Sequence, residues 1–332
     1  MANSVIEAFN KFLSESVNLD SATTGTARRS RDWLLEQIHL LPRRHTEFPP
    51  LYEDVDIHYG SFARRTKIRE LDDLDLIVGI AAYGTTYADY GTSVQLTVPD
   101  GIALSAFCHP NSTLLNSKRV INMMIGYLSE IPQYRKADIK RNGSAAVLDL
   151  TSYPWSFDIV PGFFTTPDVS GRTFYIIPDG SGHWKKTDPR IDQNRASAIN
   201  QWHDGNVLRV IRLIKYWNRR ATMPTAPAYL IECMVLSHYE GRANRASEFV
   251  DLEFGSVLTT IASMILAPVQ DPKGIDSDIN SVSWDDRVRI SVRATQDAAE
   301  ATRARAAENA KDLRLSIGIW RQILGSDFPK FG

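Results

Sequence analysis

The sequence predicts an α/β (α+β) core followed by an α-helical lobe, with the change near residue 190. Three observations carry this. Leu74 to Ile80 and Trp155 to Phe163 are short apolar runs that open with apolar and polar residues in alternation, the period of a half-buried strand. From Ile191 to the end, apolar residues recur at three- and four-residue spacing, the helical period. The first forty residues carry that helical spacing too.

Length and composition set outer limits. At 332 residues the chain is long enough for one large or two medium domains with proper cores. A hydrophobic share of 43% and a charged share of 23% are ordinary for a globular protein. The net charge of −1 gives no overall attraction to nucleic acid and leaves room only for a local basic groove. Cys108 and Cys233 match no zinc spacing and read as reduced core residues. There is no 18-residue apolar run and no basic-then-apolar N-terminus, so a cytoplasmic protein without a membrane segment is the simplest expectation.

The elements follow in order. Residues 4–17 form a first helix on Val5, Phe9, Phe12 and Leu13, capped by Asn3 or Ser4, and a second runs from about Thr23 to Leu41. Asp54 to Tyr59 is a short strand leading into Gly60, and Phe62 to Thr66 starts a short helix. Ala81 to Gly91 is a loop, and residues 92–98 are strand or loop. Asn111 to Ile131 is a helix with Ser112 as cap. Ala145 to Leu150 and Trp155 to Phe163 are a strand pair, and Thr173 to Pro178 is a further strand. Residues 179–189 form a Gly-rich turn in which Asp188 caps a helix starting at Pro189. Helices then cover Asp204 to Arg220, Pro227 to Tyr239, Glu248 to Leu266 and the stretch from Trp284 to about Leu324, with a polar loop at 270–283. The tail from Gly325 docks Phe328 and Phe331.

The chemistry concentrates in Gly60 to Val78, read GSFARRTKIRELDDLDLIV. On a strand, Asp73 and Asp75 share one face about 7 Å apart, while Leu74, Leu76 and Val78 face a core. Two carboxylates on one rigid face can hold a hard cation such as Mg²⁺. An edge strand with its acids in water has the same pattern. Gly60-Ser61 adds a second feature, because backbone N–H groups in a Gly turn and a serine hydroxyl can cradle phosphate. A phosphate cradle placed just before a metal-binding strand is what nucleotidyl transfer requires. Asp72 makes three aspartates in four positions, and the strand register selects Asp73 and Asp75. Arg64, Arg65, Lys67 and Arg69 would together ease the approach of a triphosphate, though each alone reads as a solvated basic residue.

This stretch resembles the polymerase-beta-like nucleotidyltransferases. More narrowly, it is similar to the bacterial relatives of cyclic GMP–AMP synthase and oligoadenylate synthase, the cyclic-oligonucleotide synthases (CD-NTases) of CBASS anti-phage systems. The resemblance rests on Gly60-Ser61, Thr66, and hydrophobic-Asp-hydrophobic-Asp-hydrophobic over Leu71 to Leu76. It implies a mixed-sheet core at 1–190 with an N-terminal helical spine, a helical lobe at 191–332, and an active site in the cleft between them. It implies that Asp158, in Phe157-Asp158-Ile159-Val160-Pro161, is the third metal carboxylate. It implies a triphosphate lysine at Lys215, in Leu213-Ile214-Lys215-Tyr216-Trp217. It also implies a base-stacking Tyr229, in Ala228-Tyr229-Leu230-Ile231-Glu232, where Ala228 stands in place of the usual serine. Core packing is the other role open to Tyr229.

The function implied is joining of NTPs into a cyclic di- or trinucleotide with release of pyrophosphate. Asp73, Asp75 and Asp158 would hold two Mg²⁺, or Mn²⁺, and Gly60, Ser61 and Lys215 the triphosphate. The expected partners are NTPs, an activating nucleic acid or protein, and a ubiquitin-transfer-like enzyme acting on Gly332; a monomer is expected. Two alternatives stand beside this: an enzyme that makes linear oligonucleotides or modifies RNA or protein, and an inactive fold that acts as a binding sensor.

Overall fold

The computed structural model describes residues 1–332. The helices are α1 (Val5–Phe12), α2 (Ser21–His39), α3 (Leu41–Arg44), α4 (Gly60–Ala63), α5 (Ser117–Glu130), α6 (Pro189–Trp202), α7 (Val207–Asn218), α8 (Ala228–Tyr239), α9 (Val250–Met264), α10 (Trp284–Asn309) and α11 (Leu313–Leu324). The strands are β1 (Ile57–Tyr59), β2 (Asp73–Gly79), β3 (Thr86–Asp89), β4 (Val94–Thr97), β5 (Asp138–Asn142), β6 (Ala145–Asp149), β7 (Ser156–Phe164), β8 (Tyr175–Pro178) and β9 (Trp184–Thr187). None of the helices is long and apolar enough to cross a membrane.

The chain forms two compact units. One comprises Ser21–Ala63 and Leu71–Arg190; the other comprises Met1–Asp20, Arg64–Glu70 and Ile191–Gly332. The first is the sheet unit. Its nine strands run in the order β1-β2-β7-β8-β9-β4-β3, with β5 and β6 added beside β7. The sheet is mixed: β2 and β7 are parallel, and the other pairs are antiparallel. Leu74, Leu76, Phe157 and Ile159 are buried on one face. Val55, Ile77, Val147, Val160 and Ile177 form an apolar cluster that the side chains of Ile57 and Tyr59 help to cover.

The second unit is helical. On α7, Val210, Ile211, Ile214 and Trp217 are all fully buried, as its apolar spacing requires. The first twenty residues join this unit through aromatic edge contacts: the Phe9 ring lies 4.9 Å from Trp320 and 5.0 Å from Phe328. Phe328 is buried as expected for the tail, and Phe331 bridges to Ala2.

Four local expectations need correction. Residues 111–131 are not one helix, because Leu114 and Leu115 bridge to Thr97 and Cys108 instead. The cap is Asn116, not Ser112; its side chain accepts the N–H groups of Lys118 and Arg119. The loop expected at 81–91 contains β3. Every β3 residue is exposed, so no apolar alternation marks it, and pairing with β4 defines it. The turn expected at 179–189 contains β9, with Trp184 fully buried, and 138–142 is an edge strand with a mostly exposed, polar sequence.

Candidate active site

The register of β2 and β7 brings the acids together. Asp75 stands directly opposite Asp158, and Asp73 opposite Ser156. In-register neighbours on adjacent strands point to the same face, with backbones about 4.8 Å apart. Asp73 lies two residues from Asp75 on that face, about 6.6 Å along the strand. All three acids are half-buried at the first residues of their strands, where the sheet's apolar cluster ends.

Tyr59 extends the row on the other side. It pairs with Asp75 across the antiparallel β1–β2 ladder. Burial raises its hydroxyl pKa, and the charges of Asp75, Asp158 and Asp73 raise it further, which places the phenol within electrostatic reach of all three carboxylates. Gly60 follows at φ +71°, a conformation that L side chains rarely adopt. A Cβ there would lie 1.8 Å from Asp75 Oδ2 and 2.6 Å from its Cγ. The glycine is thus required twice, by the turn and by the carboxylate packed against it. Ser61 is the second residue of α4 and is half-buried.

Lys215 and Tyr229 belong to the helical unit, in a charged network around Glu232. Glu232 is 1% exposed. Its Oε1 accepts from Arg64 Nε at 2.6 Å and its Oε2 from the Thr66 hydroxyl at 2.7 Å. Lys215, 4% exposed, places Nζ 3.5 Å from Oε2. Burial pushes the lysine pKa down, and Glu232 opposes that shift. Burial would raise the Glu232 carboxyl, but Arg64 and Lys215 hold it below its usual range. The Tyr229 hydroxyl donates to Asp192 at 2.7 Å and accepts from Lys273 at 2.6 Å, and Arg64 lies 5.6 Å from the ring centre. In the sheet unit, Lys186 pairs with Asp89 at 2.5 Å, and Lys185 is exposed.

The donor set suits a hard cation: three carboxylates on one face, with no thiol or imidazole among them. No group of three or more His, Cys, Asp or Glu side chains is placed so that it could hold a metal ion by itself. Mg²⁺ does not need such a group, because one or two carboxylates and substrate phosphate oxygens can complete its shell with water.

Sequence reasoning missed Tyr59 and the central place of Glu232. Tyr59 had a signal, since alternation through β1 sets it on the same face as Ile57, directly before Gly60. Glu232 also had one. It is the lone acid inside Leu230-Ile231-Glu232-Cys233-Met234-Val235-Leu236, where burial requires a partner.

Comparison with known proteins agrees with this architecture. No protein-family model matches the chain. The structure of Escherichia coli MS115-1 CdnC with ATP is 16% identical, with a TM-score of 0.71 over 97% of this chain and 98% of that one. Vibrio cholerae DncV cyclic AMP-GMP synthase, a prokaryotic cGAS homolog, is 9% identical, with a TM-score of 0.66 over 97% and 95%. These likenesses define the fold: a nucleotidyltransferase core with a helical C-terminal lobe. A probable cyclic nucleotide synthase of Bacillus cereus (strain VD146) is 40% identical over 331 residues, 99% of each chain. The chain belongs to the cyclic nucleotide synthases, the CD-NTase family of nucleotidyltransferases.

Proposed function

We propose that this enzyme joins NTPs, without a template, into a cyclic di- or trinucleotide second messenger of anti-phage defence and releases pyrophosphate. The observation that carries the reading is the facing of Asp75 and Asp158 across parallel strands, with Asp73 on the same face. Asp73, Asp75 and Asp158 are the residues that would hold two Mg²⁺ or Mn²⁺ ions. When bound, such ions neutralise polyphosphate charge and favour ionisation of an attacking hydroxyl.

The chain's own groups do the rest. The Ser61 hydroxyl and the N–H groups of the Gly60 turn receive the donor triphosphate. Lys215 adds positive charge for it. Tyr229 offers its ring to the donor base, a contact tolerant of base identity. Asp158 accepts the proton of the acceptor ribose hydroxyl as that oxygen attacks the α-phosphate and pyrophosphate leaves. A second transfer of the same kind, or a third, closes the ring. Gly332 is exposed, which is the accessibility that conjugation by a ubiquitin-transfer-like enzyme requires.

The test is incubation with four labelled NTPs and Mg²⁺ or Mn²⁺, alone and with nucleic acid or infected-cell extract, then phosphatase treatment and mass spectrometry. A phosphatase-resistant product absent with Asp75→Asn is expected. A product with free terminal phosphate would give the linear alternative, and none under any condition would leave a binding protein.

A further inference from the structure

Glu232 sits where an apolar helix should have no acid. It lies mid-way along α8 among Leu230, Ile231, Cys233, Met234 and Val235, all of them buried. An isolated buried carboxylate is too costly to persist, so its partners explain it. They come from two parts of the helical unit: Arg64 and Thr66 from 64–70, and Lys215 from α7. Both carboxylate oxygens are engaged.

At Glu232 itself, Arg64 and Lys215 bring two positive charges to one negative charge. Asp192 also acts on Arg64 at longer range, and the charged groups facing Lys215 are Glu232, Arg64 and Lys67. Arg64 makes the shorter contact, at 2.6 Å against 3.5 Å for the lysine, so the ammonium is the less fully compensated cation. A buried excess of positive charge is unfavourable unless an anion arrives or the lysine loses its proton. Glu232 keeps the ammonium charged; Arg64 and Lys67 work against that. Arg64 also follows Ser61 by three residues in the chain.

We propose that Glu232 is a positioning residue of the nucleotide site: its carboxylate holds the Arg64 guanidinium and the Lys215 ammonium as an oriented pair whose surplus positive charge receives the substrate triphosphate. This rests on the function proposed above, with Lys215 as the triphosphate lysine. Glu232 itself touches no substrate.

The test is Glu232→Gln, which keeps the shape and the acceptor oxygen and removes the charge. Expected is an NTP KM at least tenfold higher, with kcat changed less than threefold. The alkaline limb of kcat/KM should also move to lower pH, because the lysine has lost its counter-charge. In Glu232→Gln/Lys215→Arg that limb should return to the parent position or beyond, since a guanidinium stays protonated. A purely structural role would lower the amount of active enzyme and leave KM and the limb unmoved.

Should Glu232→Gln fail to fold, Lys215→Arg alone is the second variant, measured by calorimetric binding of ATP with Ca²⁺ between pH 7 and 10. Affinity in the parent should fall toward pH 10 and hold in the variant; equal pH dependence in the two would overturn the proposal. So would Glu232→Gln with parental KM and parental limb. The two readings fail separately: a parent that forms no product refutes the proposed function, whereas a parent that forms product while Glu232→Gln leaves KM and limb unchanged refutes only the role of Glu232.

Discussion

Replacement of Gly60 by alanine tests the geometry of the acid row without touching an acid. The added methyl would begin 1.8 Å from Asp75 Oδ2. An ordinary C···O contact is about 3.3 Å, so the carboxylate or the turn must yield by about 1.5 Å. Misplacing a reacting group by about 1 Å can cost about 100-fold in rate, equivalent to about 2.7 kcal/mol of barrier. Separately, φ of +71° costs an L residue about 1–2 kcal/mol of stability. Gly101→Ala is the matched control: its φ is +82°, and a Cβ there meets nothing within 4 Å. Urea unfolding and NTP turnover would be measured on both. Gly101→Ala should lose about 1–2 kcal/mol of stability, and Gly60→Ala about 1–3 kcal/mol more, because the carboxylate or the turn must shift as well. Only Gly60→Ala should lose about 100-fold in kcat/KM. Gly60→Ala with turnover within threefold of the parent would refute the argument that the Asp75 carboxylate packed against the glycine is the working one.

Further outcomes follow from other parts of the structure. Asp75→Asn and Asp158→Asn should each lower turnover more than about 1,000-fold with an unchanged melting curve, whereas exposed Asp72→Asn should stay within about threefold, because mis-set charge near the transition state is worth several kcal/mol. Burial, with Arg31 beside it, lowers the His58 pKa to about 4. A neutral folded imidazole gives stability that is complete above about pH 6.5, the unfolded value, and is lost as pH falls toward 4. In urea titrations between those limits, His58→Leu should therefore show a weaker loss of stability than the parent. In the helical unit, buried Asp297 accepts from the Trp217 indole at 2.7 Å and from Arg293 at 2.8 Å. Asp297→Ala should destabilise by about 2–4 kcal/mol and Asp297→Asn by less than half of that, read from chemical unfolding.

The parts of the fold legible in the sequence were those in which burial writes a period. The β2, β6 and β7 runs and the helices from Pro189 to Met264 fall where expected. The helix expected from Trp284 to about Leu324 is instead two, α10 and α11, parted at 310–312, where Lys311 has φ +66° and Asp312 caps the second. What else escaped is fixed by partners remote in the chain. No β3 residue is buried, so only its ladder to β4 makes Thr86–Asp89 a strand. Leu114 and Leu115 have helical spacing, but their backbone bonds go to Leu96 and His109 instead. At the acid row, the pair Asp73 and Asp75 was legible from alternation alone. Asp158 was not; its partner lies 83 positions earlier, and the resemblance supplied it. The network around Glu232 joins residues up to 168 apart, and spacing carries no trace of that pairing.

The hydrophobic pattern nevertheless fixes the placement of Asp158. In the observed register Leu74 pairs with Phe157 and Leu76 with Ile159, and all four are buried on the face opposite the acids. Turning β7 over by a one-residue slip would bring Phe157 and Ile159 to the acid face and carry Asp158 into the core. Moving those two side chains onto the half-buried acid face would cost up to about 3–6 kcal/mol, and burying an unpaired carboxylate would cost several more. A folded domain is stable by only about 5–15 kcal/mol, so the slipped register is not populated. The apolar residues on one face therefore determine where the carboxylates meet on the other, and a charge introduced at Ile159 should abolish activity by displacing Asp158.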